Sequence, residues 1–146
     1  MKDITAQSLR HSLSKRYSGA AVYVLDAEYE LPTKAMIETA YSKFQKSLWK
    51  YGVFKWLQNK WDCDKFAWAF KASVSLGNAL SKNNNAQPVG FLCYHIDGDV
   101  TKGHAINLAA YETKDGFIVR EIEPQPRGGI KSLTQAERDS AWLIVV

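Results

Sequence analysis

Cys63 stands in the run Asn59-Lys60-Trp61-Asp62-Cys63-Asp64-Lys65-Phe66-Ala67, where a polar stretch gives way to an apolar one, and Gly103-His104-Ala105 follows forty-one residues after the cysteine. A thiol at a helix N-terminus is drawn toward the thiolate by the unpaired amides of the first turn. A histidine opening a later strand can exchange a proton with it once its second ring nitrogen is held by a third group. Glu123 is the first candidate for that hold, and Gln125 the second. The backbone N–H of Cys63, with a side-chain donor from Gln58 or Asn59 just upstream, would face an oxyanion formed on an attacked carbonyl. Those residue types in that order are the parts of a nucleophilic thiol site.

The elements that must position these groups follow from periodicity. A loop from Thr113 to Gly116 places Glu112 opposite Phe117 and His104 opposite Gln125, with Glu123 diagonal to His104 on the same face. Glu121 shares that face but lies further along the strand. Leu31-Pro32-Thr33 opens a helix whose Met36, Ala40, Phe44 and Leu48 recur every four residues, with Gly52 as its stop. A second helix begins at Asp62 or Cys63 and runs to about Leu80, turning Phe66, Phe70, Val74 and Gly77 inward. Ala20 to Leu25 reads as a buried strand. From Pro88 onward the period becomes strand-like: Val89 to Ile96, His104 to Glu112, Phe117 to Glu123, then a loop with a helical turn near Ser132 to Asp139, and a last strand from Trp142 to Val146. Helices first and an antiparallel sheet afterward indicate an α+β fold. Residues 1–16 are polar apart from Ile4, Leu9 and Leu13 and are expected as a short helix or N-terminal arm, with 17–146 a single domain.

Composition narrows the classes. The 146 residues suffice for one core without disulfide or metal staples, and no apolar stretch approaches a membrane span. Two cysteines outside any CxxC knuckle point to a reducing compartment, and the N-terminus lacks the apolar core of a signal peptide, so a cytoplasmic location is expected. His95 competes with His104, and a zinc reading of His95, His104, Cys63 and Asp62 lacks tight ligand spacing. The glycine before His104 favours it by permitting close approach of a ligand. Cys93, inside an apolar strand, reads as inert core. The net charge is a mild +4. Between Lys43 and Lys60, lysines interleave with Trp49, Tyr51, Phe54, Trp56 and Trp61; the expectation is aromatics packed inward and lysines solvated, with no nucleic-acid partner. Trp61 is placed at a groove wall.

Asp62-Cys63-Asp64-x-Phe66-Ala67, Gly103-His104-Ala105 and Ile122-Glu123-Pro124-Gln125 together resemble the papain-like cysteine protease superfamily. The nearest variant is the protease domain of the mushroom agglutinin family, with related short proteins of bacteria and phages, and the resemblance covers Tyr23 to Gln125. It implies a papain-like α+β fold in which Cys63 is nucleophile, His104 general base and acid, and Glu123 the third triad member. It implies a peptide or protein substrate and no redox or organic cofactor. Some agglutinin members use calcium, which would fall near Asp62 or Asp64. The leading expectation is therefore a cysteine peptidase or amidase. Beside it stand a cell-wall amidase of the CHAP type and a non-catalytic binding module on the same fold, the last with an imidazole of ordinary basicity. Oligomeric state is not readable from the residues.

Overall fold

The computed structural model describes residues 2–55, 57, 62–81 and 85–146. The chain opens with strand β1 (Lys2–Thr5) and helix α1 (Ala6–Arg16), followed by β2 (Ala21–Tyr23), β3 (Glu28–Leu31) and helix α2 (Lys34–Lys50). Helix α3 (Cys63–Ala79) leads into β4 (Val89–His95), β5 (Gly103–Thr113), β6 (Gly116–Glu123) and β7 (Gly129–Lys131), and the chain ends with α4 (Gln135–Asp139) and β8 (Leu143–Val145). The helices start where side chains can satisfy the first-turn amides: Thr5 accepts from the Ser8 N–H at 3.2 Å and Thr33 from the Met36 N–H at 3.2 Å. Thr134 and Glu137 form a reciprocal capping box on α4.

Six strands form one sheet in the order β2-β8-β4-β5-β6-β7, antiparallel except for the β2–β8 pair, while β1 and β3 pair separately. The central strand β5 is buried on both faces, so it reads as a nearly continuous apolar run. Its Ile106, Leu108 and Ala110 join Leu9, Leu13 and Tyr17 around α1 in one core cluster. Ala109 and Tyr111 turn the other way and meet Phe44, Phe66 and Phe70 from α2 and α3. Two core layers thus sandwich the sheet.

One polar residue breaks that run. Asn107 is wholly buried, and its Nδ2 donates to the Ala67 carbonyl at 2.9 Å and the Gly90 carbonyl at 3.0 Å, tying the first turns of α3 to the sheet.

The fold is α+β, but β1, β2 and β3 are interleaved with α1 and α2 and the parallel β2–β8 pair makes the six-stranded sheet mixed, so the order is not simply helices then antiparallel strands; Glu112 lies opposite Phe117 as the loop length required. Several expectations need correction. Of the two alternatives for the N-terminal residues, the short helix is the one present, as α1, and it is preceded by β1: Ile4, Leu9 and Leu13 are core residues, with β1 paired to β3. Ala20 to Leu25 shrinks to a short strand with exposed Ala21 and Tyr23, since it sits at the sheet's edge. Gly77 faces solvent, and Ile37 rather than Met36 carries the inward face of α2. Trp49, Tyr51 and Phe54 are 65%, 76% and 53% exposed, so these three aromatics do not pack inward, while Trp56 and Trp61 lie outside the described residues. Among the described residues no helix is long and apolar enough to cross a membrane.

Candidate functional site

Cys63 is the first residue of α3, half-buried, with Asp62 as the N-cap. Asp62 makes no side-chain cap, because its carboxylate binds the Lys65 ammonium at 2.7 Å, and Asp64 contacts the same ammonium at 3.4 Å. The one ammonium offsets part of the negative charge that the two flanking acids place beside the thiol. His104 and the backbone N–H groups of Ala105 and Asp64 lie close enough to the sulfur to favour its thiolate. Hydrogen bonding to His104 is the largest influence on the thiol and lowers its pKa against the opposing effect of burial.

His104 lies near the start of β5, beside Tyr94 of β4, whose ring meets the imidazole edge-on at 5.6 Å. Its Nε2 is 2.8 Å from Glu123 Oε2, which leaves Nδ1 as the ring nitrogen for Cys63. Burial alone would lower the imidazole pKa, yet the bonds to Cys63 and Glu123 outweigh it and raise the value to about 9. The Glu123 pKa, which burial would raise, is brought below the ordinary value chiefly by His104. These are the signatures of a thiolate–imidazolium pair anchored by a carboxylate. With side chains 13% and 17% exposed, His104 and Glu123 are shielded but reachable.

The end of β6 is fixed from three directions. The Gln125 N–H donates to Glu123 Oε1 at 3.2 Å, and Lys131 Nζ stands 3.8 Å from Oε2 while donating to the Tyr94 hydroxyl at 3.1 Å. From α2, Gln45 Nε2 donates to the Pro124 carbonyl at 2.7 Å and the Tyr41 hydroxyl to the Gln125 carbonyl at 3.4 Å. Gly128 underlies this arrangement: a Cβ there would come 2.6 Å from Glu123 Cγ.

The structure therefore brings Cys63, His104 and Glu123 together. Gln125 supports Glu123 through its backbone N–H, not His104 through its side chain. Gln58, Asn59 and Trp61 lie outside the described residues. Glu121, the more distant carboxylate, is bound by Arg16 and Tyr17. His95 packs on Trp142 with ring centroids 4.4 Å apart. Cys93 is half-buried close to Cys63, and burial is the main reason its thiol is pushed up to about 11, opposite in sense to Cys63. Among the described residues no cluster of three or more His, Cys, Asp or Glu side chains is arranged to hold a metal. The imidazole of ordinary basicity expected for a binding module is not what the fold builds. Lys131 and Tyr94 were missed: β7 reads as loop in the sequence, although the alternation along β4 places Tyr94 opposite His104.

Comparison with known proteins adds a family and a fold. A family model described as the ricin-type beta-trefoil lectin C-terminal domain matches residues 3–145. No curated protein sequence matches the chain. Among solved structures, one described as the PSL1a-E64 complex is similar over 99% of this chain and 51% of that one, at 23% identity and a TM-score of 0.75. The Polyporus squamosus lectin, bound to the human-type influenza-binding epitope Neu5Aca2-6Galb1-4GlcNAc, is similar over 99% of this chain and 49% of that one, at 22% identity and a TM-score of 0.74. The chain thus spans about half the length of the solved structures it matches, and at this identity they speak for the fold alone.

These findings overturn the functional side of the sequence reading. Recognition as a papain-like cysteine protease, the peptidase or amidase function, the enzyme class and the phage or bacterial setting give way to a lectin family with lectin neighbours. The physical reason is that residue order and convergence specify a geometry, whereas a reaction is specified by what the site receives.

Proposed function

Because this chain belongs to the ricin-type beta-trefoil lectin C-terminal domain family, we propose that it is a binding domain of a lectin-type protein and that its ligand seats on the Cys63–His104–Glu123 cluster. The observation that carries this reading is the shielded but reachable His104, 2.8 Å from Glu123 and beside Cys63 at the start of α3. Such a cluster offers fixed donors and acceptors of opposite charge within one hydrogen-bonded line. A polar ligand is oriented by a few groups of this kind on a pre-formed site. Carbohydrate is the ligand class that the lectin family brings to the proposal. The solved neighbours supply two probes, the trisaccharide Neu5Aca2-6Galb1-4GlcNAc and E64.

The test is a titration of the chain with each probe, followed through the NMR signals of His104 and Ala105 and through iodoacetamide labelling of both cysteines. Binding at the cluster shifts both signals saturably, slows labelling at Cys63 but not at Cys93, and weakens about tenfold in Glu123→Gln, the size expected when one buried charged hydrogen bond is lost. Dependence of either probe on the cluster supports the proposal. If neither probe binds, or both bind equally well to His104→Ala and Glu123→Gln, the ligand seat is elsewhere and the proposal fails.

A further inference from the structure

A second concavity lies where the C-terminal end of α1, the first half of β6 and helix α4 meet. It is an open depression of about 460 Å³ lined by Lys15, Arg16, Arg120 and Arg138, with Ser12 and Gln135 among its polar groups and no acidic side chain. We propose that it is a binding site for a small ligand carrying an oxyanion group, sulfate, phosphate or carboxylate.

The charge balance around the cavity favours this occupant. Arg16 already has its counter-ion: Nη2 contacts both oxygens of the fully buried Glu121, at 2.8 and 3.1 Å. Among the described residues, no carboxylate lies within ion-pair distance of Lys15, Arg120 or Arg138. Lys15 and Arg16 sit in the last turn of α1, where the helix dipole accounts for cations without any ligand. Arg138 likewise sits in the last turn of the short helix α4, so that account fails only for Arg120, which arrives from β6. Convergence of three elements on one cavity is what distinguishes a site from a solvated basic face.

Preorganisation points the same way. Arg138 is held by the Leu133 carbonyl and by Gln135 Oε1, the latter at 2.8 Å, and Arg16 by its two-oxygen contact, so both forks are ordered before any ligand arrives. Held guanidiniums lose little side-chain freedom on binding an oxyanion. An adjoining concavity of about 660 Å³ shares Ser12, Lys15 and Phe117 with the first, leaving room for the scaffold that bears the anion. Phe117 and the His11 imidazole are the aromatic rings lining the two, and the Asp115 carboxylate of the adjoining concavity opposes a run of phosphates, so a strand of stacked bases is disfavoured. A small anionic ligand therefore fits better than nucleic acid.

The experiment titrates the folded chain at low salt with inorganic sulfate, a heparin-derived sulfated disaccharide, lactose and a short oligothymidylate, reading the amide signals of Lys15, Arg120 and Arg138. Saturable shifts with sulfate or the sulfated disaccharide, none with lactose, and at least about a tenfold weakening in Arg120→Gln/Arg138→Gln are expected. Tighter binding of the disaccharide than of sulfate identifies a saccharide as the source of the anion; equal binding identifies a free oxyanion. Because Arg138 also anchors Leu133, Lys15→Gln/Arg120→Gln is measured beside it and is expected to weaken binding in a chain of unchanged circular dichroism. Lys46→Gln/Lys50→Gln, which removes the same charge from α2, is expected to leave binding intact. Equal weakening in that control, no saturable shift below about 10 mM, or binding of the oligothymidylate alone would overturn the proposal.

Discussion

Glu123 is held by three groups, and two of them, the Gln125 amide and Lys131, constrain His104 at one remove. His104 takes Oε2, the Gln125 amide takes Oε1, and Lys131 balances the charge from 3.8 Å. Because the imidazole is raised to about 9 by Cys63 first and Glu123 second, against burial, its titration reports directly on the cluster. Replacing Cys63 with Ala removes the largest upward influence and is expected to lower the His104 pKa by about a unit or more, as does Glu123→Gln, whereas Cys93→Ala leaves it unchanged. A 1H–15N titration of the imidazole measures this, and an unmoved value in both variants would show that the three groups do not act as a unit. Gly128→Ala probes the same contact sterically. A methyl group 2.6 Å from Glu123 Cγ forces the carboxylate or the loop to move, so the expected result is the same downward shift with Cys63 intact.

Between elements, the strongest polar tie is that of α1 to β6. Glu121 is fully buried and receives Arg16 and the Tyr17 hydroxyl, the latter at 2.6 Å. Removing Arg16 strands a charge in the core, so Arg16→Met is expected to cost about 3–5 kcal/mol, while the neighbouring exposed Lys15→Met costs under about 0.5 kcal/mol. Urea denaturation separates the two, and the double variant Arg16→Met/Glu121→Met is expected to recover most of the loss. The tie also shows where the sequence is opaque. Glu121 and Glu123 differ by two positions on one strand face, and their spacing ranks Glu123 nearer His104 without saying that Glu121 is a buried structural counter-ion. Its partners Arg16 and Tyr17 come from the end of α1, and residues 1–16 read only as a short helix or an arm because three of them are apolar. The α3 start, the β5–β6 register and hence the meeting of Cys63, His104 and Glu123 are legible, since cap chemistry and period-two pairing are local rules. The short strands β3 and β7 are not legible, because their formation depends on partners far along the chain.

At the scale of the whole molecule, layer order is readable from the switch between helical and strand periods, while function is not, because one architecture accommodates many ligands. A global property follows from the site nonetheless. Glu123, whose folded pKa is lowered from 4.5, contributes stability in full above pH 4.5 and loses it as pH falls through the depressed folded value. His104, raised from 6.5 to about 9, contributes in full below pH 6.5 and loses it as pH rises through about 9. Over that upper window Cys63, whose pKa is lowered from 9.0, gains as His104 loses, so the two partly cancel. The acid limb is the cleaner reporter. Unfolding free energy from urea titrations between about pH 6 and pH 3 is expected to fall in the native sequence by on the order of 1 kcal/mol more than in Glu123→Gln, which has no carboxylate to protonate at that position. Parallel curves would mean that Glu123 is as easily protonated in the folded chain as in the unfolded one, and the anchored imidazolium would then lose its carboxylate support.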